Sequence, residues 1–287
     1  MVEGDRSKVV RLPWLNLLLL VLTIASTFAA GYFYGARGLF GGRLPPWVSG
    51  LLFASALLLI LGAHELGHYF VARLNGVEAS LPFFIPVPLG IGTLGAFIRM
   101  RSDVPNRRTL FDVGLAGPLA GLAVAVPLFV AGLLLAPVQR HPSLYGDGLL
   151  MRGLILLVER LRGLPPDHHL VLHPLSFAAY ISLFITAFNL LPAGQLDGGH
   201  VAYAALGRRS FFFAVVIVFV LATTGLITRR FNLVLFAGLI ALFGLRHPPT
   251  ADDDLSLDTV RWLLALSACV ILVLIFAINP LPLGSQM

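Results

Sequence analysis

Val48-Ser-Gly-Leu-Leu-Phe-Ala-Ser-Ala-Leu-Leu-Leu-Ile-Leu-Gly-Ala63-His64-Glu65-Leu-Gly-His68 runs from an almost wholly apolar segment directly into two histidines and a glutamate. The apolar part predicts a membrane-spanning helix. On that helix His64 and His68 lie four residues apart, on one face and one turn apart. Two imidazoles so placed can hold one metal ion, and a glutamate beside the first can serve as general base toward a metal-activated water. Ionisable groups at the end of a membrane span are costly unless they have a partner or a task.

The composition agrees with a span. The chain has 287 residues, 57% of them hydrophobic and 12% charged, which excludes an ordinary soluble domain. The net charge is +6, with arginine supplying nearly all of the positive charge and Lys8 the only lysine. The arginines stand at the ends of apolar runs, as membrane orientation requires, and this argues against nucleic acid as a partner. The single cysteine, Cys269, excludes an intrachain disulfide.

Working outward, residues 1–12 are polar and basic and are expected in the cytoplasm. Residues 13–47 hold a first span, too long for a cleaved signal peptide, and a Gly/Pro-rich link. The second span, about 48–74, carries the histidines. Residues 79–111 are apolar but broken by Pro82, Pro86, Pro88, Gly90, Gly92 and Gly95. They predict two extended segments in a membrane-associated or re-entrant β-hairpin. Its strand edge is a candidate dock for an extended peptide or, alternatively, a plug without a ligand. The arginines at 99, 101, 107 and 108 read as cytoplasmic orientation charges.

The third span, about 112–136, opens with Gly114-Leu-Ala-Gly117-Pro118-Leu-Ala-Gly121, small residues that permit close approach to another helix. Residues 137–172 form the longest polar segment, expected as an external loop with His141, His168 and His169, and His173 just beyond. The spacing of these histidines favours solvated side chains over a second metal site. A fourth span begins near His173. It breaks at Asn189-Leu-Leu-Pro192-Ala-Gly194-Gln-Leu-Asp197-Gly198-Gly199-His200 and continues to about Leu206. Further apolar runs at about 210–227, 231–245 and 260–278 complete about seven crossings. The expected fold is an all-α polytopic membrane protein. It has a core at 48–206 and C-terminal membrane helices in 207–287.

A catalytic zinc takes three protein ligands and leaves one position for water. Asp197 is the one carboxylate inside a later span and is expected on the same side and at similar depth as the His pair. Asp112 and His200 are weaker candidates; Glu78 and Glu159 are poorly placed. Asn189, two turns before Asp197, is a candidate hydrogen-bond donor to an oxyanion or to substrate backbone.

His64-Glu65-Leu66-Gly67-His68, together with Asn189-Leu-Leu-Pro192 and Leu196-Asp197-Gly198-Gly199, resembles the two signature motifs of the site-2 protease family of intramembrane zinc metalloproteases. The glycine-rich start of the third span is similar to that family's small-residue motif. Gly95-Ala96-Phe97-Ile98 and Phe111-Asp112-Val-Gly114 resemble the branch with chloroplast and cyanobacterial members. The resemblance covers about residues 48–206. It implies one zinc ion bound by His64, His68 and Asp197, with Glu65 as catalytic base and a transmembrane protein as substrate. Two departures stand out. The segment between the third and fourth spans is too short for the PDZ domain of many bacterial members. Gly121 replaces a common asparagine, and His200 a frequent arginine. A metal-ion transporter or channel using the same polar residues is the competing class, and a catalytically dead scaffold a third. The expected location is a prokaryotic cell membrane.

Overall fold

The computed structural model describes residues 13–139, 148–165 and 167–276. The basic N-terminal dodecapeptide, His141 and the end of the last apolar run lie outside the described residues.

The described chain is helical, with two small sheets. Helix α1 is Trp14–Ala36 and α2 is Pro46–Leu74. Strands β1 (Phe83–Pro86) and β2 (Thr93–Phe97) follow, and then α3, Arg107–Leu135. A two-residue strand β3 (Val138–Gln139), helix α4 (Leu149–Leu161) and a strand β4 (His169–Leu170) lead to α5, Pro174–Asn189. Helix α6 is Asp197–Leu206; one 3-10 turn joins it to α7, Ser210–Ile227. Helices α8 (Phe231–Phe243) and α9 (Thr259–Ile275) complete the order.

Among the described residues four helical runs are long and apolar enough to cross a membrane: Trp14–Ala36, Pro46–Leu74, Arg107–Leu135 and Asp197–Ile227. The apolar helices Pro174–Asn189, Leu233–Leu242 and Thr259–Ile275 are shorter. Leucines along α1, such as Leu15, Leu18 and Leu22, are about half exposed, an outward face suited to lipid. In such a setting apolar surface alone does not hold helices together, and close packing must. Helix α2 sits centrally, packed on α1, α3 and α5, and α3 packs on α5 and α6. Phe53, Leu57, Phe129, Leu133, Phe177 and Tyr180 fill the space between α2, α3 and α5.

Three expectations change. Helix α3 begins at Arg107, capped by the Asn106 side chain, which accepts from the Thr109 amide. The non-helical segment after α2 therefore ends earlier than 111. The supposed polar loop at 137–172 holds the amphipathic helix α4. It buries Met151, Ile155 and Val158, and the antiparallel pair β3–β4 closes it. Apolar residues at i, i+4 and i+7 carried that signal and outweigh the loop's overall polarity. Finally, α6 is continuous with α7 through the 3-10 turn rather than ending the preceding crossing.

Strands β1 and β2 form an antiparallel hairpin with an irregularity at Phe84–Pro86. It lies along α1. Asn16 donates to the carbonyls of Leu81 and Pro82, Ser26 to that of Gly92, and Tyr34 to that of Gly90. These anchors run nearly the length of α1, so the hairpin shares whatever depth α1 occupies.

Candidate metal centre

His64 and His68 are 5% and 6% exposed, with ring centroids 4.9 Å apart and Nε2 atoms 3.2 Å apart. They face the small-residue stripe of α3. A Cβ on Gly117 would lie 2.1 Å from His68 Nε2, and one on Gly121 3.2 Å from His64 Nδ1. In return, a Cβ on Gly67 would lie 2.6 Å from the Ala116 carbonyl oxygen. The glycines thus let two helix backbones approach and leave room between them for two imidazoles.

The third group arrives from the break between α5 and α6. Asp197 opens α6. A Cβ on Gly198 would lie 2.0 Å from the Leu190 carbonyl oxygen, so only glycine permits this tight turn. The Asp197 carboxylate straddles the histidines, Oδ2 3.1 Å from His64 Nε2 and Oδ1 3.2 Å from His68 Nε2. Within the described residues this is the one group of three or more potential ligands close enough to share an ion, with donor atoms within 4.8 Å of one another.

The donor set fits zinc. His68 Nδ1 lies 2.7 Å from the Val113 carbonyl oxygen, which can only accept, so Nδ1 carries the proton. In neutral His68 the Nε2 lone pair then faces a carboxylate oxygen, an arrangement that needs a positive charge between them. A carbonyl that accepts from the far ring nitrogen and so orients the imidazole is usual at zinc sites. The Nε2–Nε2 separation of 3.2 Å and the His64 Nε2–Asp197 Oδ2 separation of 3.1 Å are close to the edge of a tetrahedron with bonds of about 2.0–2.1 Å.

Glu65, 5% exposed, borders the same cavity, which Ile98 also lines. The cavity is about 240 Å³ and is lined by His64, His68, Asp197, Glu65, Asn189 and the chain from Ala96 to Ile98 at the end of β2. A smaller one of about 90 Å³ adjoins, bounded by Glu65, Gly95, Ser182, Thr186 and Asn189. The Asn189 side-chain amide has no hydrogen-bond partner among the described residues.

Other sequence candidates are elsewhere. Asp112 is bound by Arg261 at 2.6 and 2.8 Å. Glu78 is outside the cavity lining, and Glu159 lies 3.8 Å from His169. His168 pairs with Asp167, and His173 caps α5 by accepting from the Leu175 amide. His200 lines the metal cavity without joining the ligand group. Its Nδ1 lies 2.6 Å from Nε2 of His247, a residue the sequence reading did not single out. Nothing in a spacing of 47 residues marks that pair. The stripe Ser182, Thr186, Asn189 was legible as i, i+4, i+7 on an otherwise apolar helix.

The fold and the centre define a helical protein with membrane-length helices and a His-His-carboxylate metal centre beside a buried glutamate. Comparison with known proteins agrees. Residues 52–223 match the sequence model of peptidase family M50. Over 244 residues, 80% of the chain, it is 34% identical to the probable zinc metalloprotease EGY1, chloroplastic, of Arabidopsis thaliana, covering 43% of that protein. Over 176 residues, 59% of the chain, it is 37% identical to the protein of the same name from Oryza sativa subsp. japonica, covering 30% of it. It is 30% identical to the probable zinc metalloprotease EGY3, chloroplastic, of Oryza sativa subsp. indica over 295 aligned residues, covering 91% of this chain and 48% of that one. The chain belongs to peptidase family M50, the family of the site-2 proteases. It spans less than half the length of these curated relatives.

Proposed function

We propose that this chain is a zinc metalloprotease that hydrolyses peptide bonds in or near membrane-spanning segments of protein substrates, in regulated intramembrane proteolysis. The observation that carries this reading is the open edge of β2 lying along the cavity that holds Glu65 and the His64, His68, Asp197 group.

Zinc held by those three residues would supply Lewis-acid activation of a water and of the scissile carbonyl. The protein groups do the rest. Glu65 takes the proton from the attacking water and returns it to the leaving amine. The Asn189 amide donates to the developing oxyanion or to substrate backbone. The substrate enters as an extended strand. Arg99 exchanges hydrogen bonds with Ser80 on the β1 side, so the neighbouring Ile98 points the opposite way, into the cavity. A strand added there presents its carbonyls to the centre, whereas a helical peptide bond is shielded. Substrates are therefore spans with helix-destabilising residues. The catalytic core is 48–206, in a cell-membrane protein of about seven crossings with the N-terminus in the cytoplasm.

The test is cleavage of a model single-span substrate by purified protein in detergent, with zinc content measured on each variant. Wild type is expected to cut, Glu65→Gln to keep zinc without cutting, and Asp197→Ala to lose zinc. Cutting by Glu65→Gln at the wild-type rate would remove Glu65 from the mechanism. Absence of both zinc and cleavage, with metal flux in vesicles that depends on Glu65, would establish the transporter reading instead.

A further inference from the structure

Most arginines around the α3, α6 and α9 ends have defined partners. Arg107 donates to the carbonyls of Ala204 and Ala205 at 2.8 and 2.9 Å, closing the C-terminal end of α6. Arg108 donates to the Ser256 carbonyl, and Arg261 pairs with Asp112 and Asp258. Arg208 and Arg246 differ. Neither has an ion-pair or hydrogen-bond partner among the described residues, and both line one cavity of about 390 Å³, with Tyr203, Ser210, Phe211 and His247. The Arg246 guanidinium carbon sits 5.1 Å from the centre of the Phe211 ring, a cation–π contact that holds it at the cavity. Ser210 is only 8% exposed, and its hydroxyl has no partner among the described residues. No carboxylate lines this space. The nearby Asp253 is taken up by the Tyr203 hydroxyl at 2.6 Å and by Thr250.

We infer that this cavity is a binding site for a phosphate-type anion, supplied either by an anionic lipid headgroup or by free phosphate. Two unpaired guanidinium groups offer the planar, multiply donating surface that phosphate oxygens accept. The Ser210 hydroxyl adds a donor at the first residue of α7. The cavity stands where Arg208 and Arg209 interrupt the apolar sequence and α7 begins, and basic residues flanking an apolar run are the kind that meet headgroup phosphates. Orientation of the protein needs positive charge at this end, but it does not need two unpaired guanidinium groups lining one cavity. The site is separate from the metal centre, yet one hydrogen bond connects the two: His247 lines the anion cavity, and its partner His200 lines the metal cavity.

The test is the melting temperature of the full chain in neutral detergent, titrated with three probes. They are inorganic phosphate, dihexanoyl phosphatidylglycerol and dihexanoyl phosphatidylcholine, the lipids below their micellar concentrations. A saturating rise is expected with phosphatidylglycerol for wild type and for the charge-matched control Arg43→Gln with Arg73→Gln. Arg208→Gln with Arg246→Gln should weaken it at least tenfold. A rise with phosphate as well assigns the site to the phosphate group itself; a rise with phosphatidylglycerol alone assigns it to the headgroup. Equal response to phosphatidylcholine, no response to either anion, or an undiminished response in the arginine variant overturns the inference. If the double variant does not fold, the single Arg208→Gln and Arg246→Gln variants decide. Each should weaken binding severalfold, and an effect from neither overturns the proposal.

Discussion

Two long excursions leave the helical bundle, one on each side of α3, and they are built in opposite ways. The first, between α2 and α3, contains no histidine, yet it reaches the metal centre: its β2 edge and Ile98 line the cavity together with Glu65. The second, between α3 and α5, holds His168 and His169, but both find carboxylate neighbours far from the centre. Its helix α4 packs on α3 and α9, and the β3–β4 pair ties its ends together. The contrast teaches that residue type is a poor guide to function outside a fixed geometry. A backbone edge with no reactive side chain contributes to the site because α1 holds it there. Imidazoles on a segment packed elsewhere are ordinary surface groups.

The largest effect expected from breaking this contrast is at Ile98. Ile98→Pro removes a backbone donor beside the cavity and blocks that edge of the strand. Cleavage should fall by about 100-fold or more with zinc content unchanged, measured on a single-span substrate. Wild-type cleavage by this variant would detach the hairpin from catalysis.

Next is α3 itself, whose N-terminal half faces the centre. Gly117→Ala drives a methyl into His68 and should cost about 1–3 kcal/mol of stability together with most of the bound zinc. Leu134→Ala, at an exposed position in the other half, should leave zinc content alone. Equal zinc loss in both variants would mean that general destabilisation, not the close approach, controls the metal.

A smaller effect belongs to the second excursion. His173 ends it and caps α5 through Nδ1, which must be unprotonated to accept. Burial holds its pKa below the usual histidine value. The unfolded chain therefore takes up the proton first as pH falls. The cap's contribution is complete above about pH 6.5 and is lost below it. His173→Ala should cost about 1 kcal/mol at pH 7.5 and less at pH 5.5, read from melting temperatures at the two pH values. The same loss at both would show that the cap does not titrate. Smallest of all, His168→Ala with His169→Ala should leave zinc content and cleavage within about twofold of wild type, since neither residue shares the metal group. Loss of zinc in that variant would erase the contrast.

Much of the centre was legible from spacing alone. His64, Glu65 and His68 share a helix, and the 3.6-residue period places two imidazoles one turn apart without any tertiary information. The helix break at Pro192–Gly199 and the close-packing role of Gly114, Gly117 and Gly121 were readable for the same reason, because backbone freedom and missing side-chain volume are local properties. The membrane-length helices follow from composition. Tertiary structure decided the rest. The sequence already favoured Asp197 over Asp112 as the third member of the group; the fold adds that Arg261, 149 residues away in sequence, takes Asp112. The His200–His247 pair and the anion cavity arise from contacts between segments with no shared periodicity. Which edge of the hairpin stays open was also beyond the sequence, because the anchors that turn it toward the centre come from Asn16, Ser26 and Tyr34 on a different helix. Local pattern sets what each segment can be; which charges are neutralised, and which donors stay free, depends on what the fold brings beside them.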